Sequence, residues 1–549
     1  RAMRPDSSVE ELSLTDALLR AHEYGSLAGE LPTQDIAVLR LMLAVLHAVF
    51  HRVDEDGNEA PLEDDVMALD RWEALWRMGR VPAAPVCDYL NRYEDRFWLF
   101  HPERPFYQAV SAIQGSGYGA EKLNGAINES GNKPRLFASR AGEAKKRLTY
   151  AEAARWLFQL NGFDDAGLKK KIRTDADLPS FKTGWLGQLG LIAANGRNLF
   201  ETLMLNLVLL DKSDAPWDAA SPEWEKPAPD LRDRVWIAAP HDQAALLTLQ
   251  SRRTLLLREN GYVVGYHVLS GEQFSPENAF SEQMTLWRKT KEGKYLPRKH
   301  SLDKALWREM AALFTLEDKD CRPGVVRWNQ QVLGECGRVL PAGYRIRYQA
   351  ASVWYSGGSI PSALDEVYAD ELSFHMNLLS HLGDGWISKM NDEVERVERL
   401  AQAVGFLADT ICKAAGGSGS GGRDRACEQF FYRVDEPFRR WLMTLDADQT
   451  DVEQNERQCV WRREAGRIAR ELGRGGALLG DGNSAAPAER EAAMDIAKSL
   501  TQAEQTGVEK LTGALSKEEL DQRARAVSEL GLTAYALAAA SYQVERAGA

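Results

Sequence analysis

The sequence predicts an α+β protein: a large mixed N-terminal domain over residues 1–378, followed by a C-terminal helical bundle over 379–549. Three observations carry this. Strand-like alternation clusters in residues 235–300. From about residue 380, Met390, Val394, Val397, Leu400, Val404, Leu407 and Ile411 step by three and four, the spacing of one helix face. A chain of 549 residues with 44 % apolar content has room for two to four domains and a sizeable core.

Residues 13–51 read as helical, with Leu39, Leu43, Leu46 and Phe50 on one apolar face and Val49 beside them. His47 and His51 lie four apart there, a metal-capable spacing with no third ligand in view. Residues 101–150 are loop-rich, and a helix follows from Tyr150 to Leu160. Gly162, Gly167, Gly184, Gly187 and Gly190 mark a second loop over 161–190. Residues 196–212 read as a Leu-rich helix, and 213–234 as a connector.

Leu255-Leu-Leu257 and the run from Tyr262 to Leu269 read as strands, with Glu259-Asn-Gly261 as the hairpin signal. Residues 301–317 return to helix. Tyr344 to Gln349 and Ser352 to Tyr355 read as strands near a turn at Gly357-Gly358-Ser359. In the bundle, Glu395 and Arg399 form an i,i+4 pair. Gly416 to Gly422 form a flexible connection. Further helices are expected near 425–445, 452–472, 487–505 and 516–541, enough for a bundle.

The formal charge of −12 argues against a broad nucleic-acid-binding face but leaves room for local basic loops. The fifteen tryptophans fit both core and interface roles. The six cysteines form no CxxC pair, so no structural zinc is expected; their scatter reads as buried thiols in a reducing cytoplasm. No apolar run reads as long enough to span a membrane, and no signal peptide is evident.

Catalytic patterns are missing: no GxSxG, HExxH, Walker A or calcium loop occurs. The Asp64-Asp65 and Asp164-Asp165 pairs read as solvated turn acids. Basic segments are more informative. Lys133 to Arg147 holds six basic residues and one acid. Lys169, Lys170, Lys171 and Arg173 follow Gly167. Arg288, Lys289, Lys291, Lys294, Arg298 and Lys299 crowd a third segment, with Trp287 and Tyr295 interleaved. Such loops suit phosphate contacts, and a glycine lets main chain approach a groove closely. They equally suit a solvated charged face.

The order of several short motifs supports the first reading. Phe100-His-Pro-Glu-Arg-Pro-Phe106 resembles an HPxxPFxQ element. Ser130 to Phe137 resembles an SGNNxxLF loop, and Leu148 to Leu157 the helix opening that follows it. Gly184-Trp-Leu-Gly-Gln-Leu-Gly190 and Asn198 to Leu207 resemble GWLGxLGG and NLxETLLLNL. Tyr295-Leu-Pro-Arg298 with Ala305-Leu-Trp307 resembles YLPR...ALWR, and Asp365-Glu-Val367 with Asp370 a pattern before the bundle. In this order they resemble the CasA family, the large subunit of type I-E CRISPR Cascade.

The resemblance implies a non-enzymatic subunit of a crRNA-guided complex. It would read the PAM in double-stranded DNA, help open the duplex and recruit a separate helicase-nuclease. Implied partners are the backbone, crRNA-end and small subunits and the crRNA 5′ handle, with no membrane, cofactor or metal. The polar loop falls on Asn132, Lys133, Arg135 and Phe137, and the Gly loop on Ala166, Gly167 and Leu168, beside Lys169, Lys170 and Lys171. The wedge falls on Gly358, Ser359 and Ile360, where an apolar Ile can pry a base step. The finger aligns near Gln273, with Lys289 as the basic substitute. The family's opening strand is missing, and the chain starts at Arg1 rather than Met, which implies a truncated start.

Alternatives remain at single residues. Gly167 also fits a helix end. Phe137 also fits a core anchor, and Ile360 a hairpin tip packed on its own domain. Two whole-chain rivals are a scaffold without nucleic-acid contact and a metal-dependent hydrolase using the scattered acids.

Overall fold

A computed structural model describes residues 1–129, 138–167, 182–227, 236–315, 318–356, 363–380, 384–414, 421–448 and Trp461. The chain divides into two compact units, Arg1–Leu372 and Ser373–Ala549. Helix and sheet mix in the first, and the described part of the second is mainly helical, so the fold is α+β.

The first unit is organised around the helix Pro32–Phe50. Proline at its first turn costs no hydrogen bond there, and nearly every side chain after it is buried. This helix has the length and apolarity of a membrane span, which corrects the expectation that no such run exists. It is apolar all round because protein covers it all round. The helices Ala83–Arg92, Tyr150–Phe163 and Gln243–Leu247 pack on it. Its Arg40 forms a buried bidentate pair with Glu282, at 2.8 and 3.0 Å.

Helicity over 13–51 is interrupted. Leu14–Leu19 ends at Arg20, a short strand crosses Ser26–Leu27, and the long helix starts only at Pro32. The chain also opens on a strand, Ala2–Met3, central in a three-stranded sheet, where the sequence reading has none. His47 is buried, and His51 Nε2 lies 2.8 Å from the Trp217 carbonyl.

Tyr150–Phe163 starts at a capping box, in which Thr149 and Glu152 each satisfy the other's main-chain N–H. Arg252–Glu259 and Tyr262–Ser270 form the expected hairpin, with Ser116–Gly119 added on the far edge of Tyr262–Ser270. Its turn residues Asn260 and Gly261 have φ of 49° and 81°, the left-handed pair that matches strand twist. A second sheet has the order Ala363–His375, Arg345–Ser356, Leu191–Asn195. Arg345–Ser356 is thus one strand where two were expected, and the expected turn at 357–359 lies outside the described residues. Leu286–Lys289 and Tyr295–Arg298 form a separate hairpin. The helix Gly324–Cys336 was not anticipated, and the helix expected over 301–317 shrinks to Leu306–Glu309 and Met310–Leu313.

In the second unit, Asp384–Ala414 packs on Gly421–Leu442. Met390, Val394, Val397 and Leu400 are buried, as are Ala426, Phe430, Val434, Phe438 and Trp441. Gly421 and Gly422 belong to the second helix rather than to a flexible connection. Trp461 packs against Phe438, with ring centroids 5.6 Å apart. The helices expected at 487–505 and 516–541 lie outside the described residues, as does 452–472 apart from Trp461.

Candidate nucleic-acid interface

Most of the candidate residues lie outside the described residues: Asn132, Lys133, Arg135, Phe137, Leu168, Lys169, Lys170, Lys171, Gly358, Ser359 and Ile360. What the structure places is the root of each segment that carries them. Those roots converge.

The helix Tyr150–Phe163 ends at Asp164 and delivers Asp165, Ala166 and Gly167. Asp164 and Asp165 are not the solvated turn acids expected; both are buried and paired. Arg252 Nε donates to Asp164 Oδ2 at 2.6 Å, with side-chain exposures of 1 % and 2 %. Its Nη2 donates to the carbonyls of Asp165 and Lys182, each at 2.9 Å. One guanidinium therefore holds both the entry and the exit of the segment 168–181. Asn161 brackets the Arg252 main chain, accepting from its N–H at 3.0 Å and donating to its carbonyl at 3.3 Å. Sequence reading missed Arg252. Its signal in the sequence was the Arg252-Arg253 pair just ahead of the Leu255–Leu257 strand, where a strand's inward face is buried.

Asp165 Oδ1 accepts from the Gly167 N–H at 2.8 Å, and its Oδ2 takes Lys122 Nζ at 2.7 Å. Lys122 also donates to Asn128 Oδ1 at 2.7 Å. Asn128 precedes the polar segment 130–137, so Lys122 joins that root to the Gly167 root. Glu129, one residue on, accepts from Lys145 on the far side of the same segment, at 2.8 and 3.0 Å.

The third root is the strand Arg345–Ser356, which leads into 357–362. Its Tyr355 hydroxyl donates to the Phe163 carbonyl at 2.6 Å. Burial pushes that phenol well above its ordinary range, so it stays a donor. The Gly184–Gly190 motif threads past this point. A Cβ on Gly187 would overlap Tyr355 Oη, and one on Gly184 the Gly162 carbonyl. The glycines of that motif serve close packing here.

The basic residues divide. Arg140 pairs with Glu152 and Lys146 with Glu143, while Arg147 lies over the Tyr262 ring at 4.9 Å. Lys289 stands toward the turn of its hairpin, 3.3 Å from Asp318 and 5.0 Å from the Tyr295 ring. Those two partners raise its pKa, Tyr295 first. Lys299, at the other end of the hairpin, is the lysine of this third segment that reaches the root of 357–362. It donates to the Val353 carbonyl at 2.7 Å and lies 4.9 Å from the Tyr355 ring. Burial lowers its pKa to about 8. Arg288 and Lys291 are exposed, and neither forms an ion pair with a described residue.

Ala166 is buried, so the Gly loop presents Gly167 rather than Ala166. Gln273 is 8 % exposed, which leaves little side chain to act as a finger. Its carbonyl accepts from Ile237 N at 2.8 Å, beside Trp236. Trp236 is exposed and lies 5.2 Å from Lys182 Nζ, at the exit of the Gly loop. Asp64, from the other acid pair, caps the helix Asp65–Met78 through the Met67 N–H. Among the described residues no group of three or more His, Cys, Asp or Glu is placed to hold a metal.

Fold and site together define an α+β protein whose first unit carries three tied loop roots and whose second unit is mainly helical in its described residues. A family model described as CRISPR-associated protein Cse1 matches residues 2–472, and the chain belongs to that family. It is 34 % identical over 311 residues to the CRISPR-associated protein CasA/Cse1 of Thermus thermophilus, across 56 % of this chain and 57 % of that one. The match thus spans little more than half the length of that relative. The structure of Thermobifida fusca Cse1 is similar at a TM-score of 0.74 and 25 % identity, covering all of this chain and 96 % of the other. A chain of a solved CRISPR RNA-guided surveillance complex shares the fold at a TM-score of 0.65 and 19 % identity, over 90 % of this chain and 95 % of that one.

Proposed function

We propose that this chain is the large subunit of a cytoplasmic, crRNA-guided type I-E surveillance complex. In it the chain reads the PAM in double-stranded DNA, helps open the duplex and recruits a separate helicase-nuclease. It performs no chemistry of its own. The observation that carries the reading is the convergence of the roots of 130–137, 168–181 and 357–362 on Asp164, Asp165 and Phe163. Segments rooted together can address one short stretch of duplex at once. Rigid support of this kind is what a recognition loop needs.

Within this reading, residues 1–378 carry the DNA-facing loops and 379–549 the bundle that meets the small subunits. Lys133 and Lys169 to Lys171 hold phosphates, and Gly167 approaches the minor groove. Ser359 and Ile360 wedge the base step. Asn132, Arg135 and Phe137 meet the crRNA 5′ handle and the neighbouring subunits. Guide pairing supplies the remaining specificity.

The test is reconstitution with the other Cascade subunits and a crRNA, then binding to duplexes with a randomised flank. Selection of particular flanks supports the reading. Assembly without flank preference favours a scaffold that touches no nucleic acid. Failure to assemble removes both.

A further inference from the structure

Two side chains, the buried Arg252 and the partly buried Tyr355, tie the loop roots together, and the proposed function gives them no role. Arg252 spreads its donors over Asp164 Oδ2 at 2.6 Å, the Asp165 and Lys182 carbonyls at 2.9 Å and the Ser251 carbonyl at 2.8 Å. Only a planar fork with five N–H groups can serve so many acceptors; a lysine ammonium is a point donor on a flexible stem. Tyr355 stands one residue before the end of its strand and donates to Phe163, the residue next to Asp164. The two side chains therefore grip adjacent residues of one turn. Gly187 leaves the space that the Tyr355 hydroxyl occupies.

We infer that Arg252 and Tyr355 are positioning residues that fix the roots of 168–181 and 357–362 to each other, so that groove reading and strand separation operate as one unit. The inference rests on the proposed function. Neither residue need touch DNA. Arg252 holds the first segment at both ends, and Tyr355 makes the second root move with it. Displacing Phe163 displaces Asp164 through one peptide bond. Slack between the roots would let one segment engage DNA without placing the other.

The consequence is specific to duplex DNA. A target already open beside the flank needs no strand separation, so coupling between the segments matters less. The experiment uses the reconstituted complex with Tyr355→Phe or Arg252→Lys. Binding is measured on a full duplex and on the same target carrying a mismatched bubble next to the flank. Tyr355→Phe keeps the ring and deletes one hydrogen bond, and Arg252→Lys keeps the charge and loses the fork. Each is expected to weaken duplex binding by about tenfold, the scale of one well-placed hydrogen bond, while bubble binding stays within about twofold.

Equal weakening on both targets, or no change on either, overturns the inference; the first would mean a merely structural role. Should Arg252→Lys fail to assemble, Tyr355→Phe decides alone. A wild-type complex without flank preference sinks the proposed function and this inference with it. A flank-selective wild type with unaffected variants sinks only the inference.

Discussion

Lys122 bridges Asp165 and Asn128, with its Nζ 2.7 Å from each side-chain oxygen, and so links two loop roots that are 37 residues apart in sequence. Lys122 and Asp165 are largely buried, with side-chain exposures of 13 % and 8 %. A charge so placed is costly once its partner is lost.

Lys122→Met is therefore expected to destabilise the first unit by about 3 kcal/mol, because it takes the Lys122 charge away from a buried carboxylate whose Gly167 hydrogen bond does not offset a full negative charge. Adding Asp165→Asn to it should restore part of that loss. Chemical denaturation of the single and double variants measures both. A single variant as stable as wild type would show that the pair contributes little.

Gly187→Ala should destabilise by about 1–3 kcal/mol, because its methyl meets the Tyr355 hydroxyl. Tyr355→Phe in the same chain removes the obstructing oxygen. Thermal unfolding should then show the double variant losing less than the two single losses added together.

His47 gives a pH dependence with a definite sign. Burial first, and the neighbouring His51 charge second, lower its folded pKa from 6.5 to about 3. Between those values the unfolded chain binds the proton and the folded chain does not. The contribution is thus complete above about pH 6.5 and lost as pH falls toward 3, at about 1.4 kcal/mol per pH unit. His47→Gln should flatten the stability profile over pH 6.5 to 4 relative to wild type, and equal slopes would refute this.

Arg288 and Lys291 are exposed and form no ion pair with a described residue, whereas Lys289 is engaged with Asp318. Neutralising Arg288 and Lys291 together should change stability by less than about 0.5 kcal/mol. In the assembled complex it should lower the salt dependence of DNA binding by about two counterions if both meet phosphate. Titration at several salt concentrations reads this directly, and an unchanged slope removes them from the interface.

Where local chemistry decides, the sequence was readable. Asn260-Gly261 specified its hairpin because only a few residue types accept two left-handed positions. Thr149 and Glu152 started a helix with a reciprocal cap. Tertiary burial was not readable. Asp164 and Asp165 look like turn acids until Arg252 and Lys122, distant in sequence, arrive beside them. The Pro32–Phe50 helix was credited with one apolar face because nothing local reveals that protein encloses it on all sides. The ordered motifs located the roots of the candidate site. They gave no hint that Tyr355 and Gly187 form one joint.

The measurement that bears most directly on the central claim is duplex binding by the reconstituted complex across a library of randomised flanks, with and without this chain. The account predicts that a small set of flanks is enriched only when the chain is present, and that replacing Lys169 to Lys171 and Ile360 together abolishes the enrichment. An identical flank profile with and without the chain would contradict it.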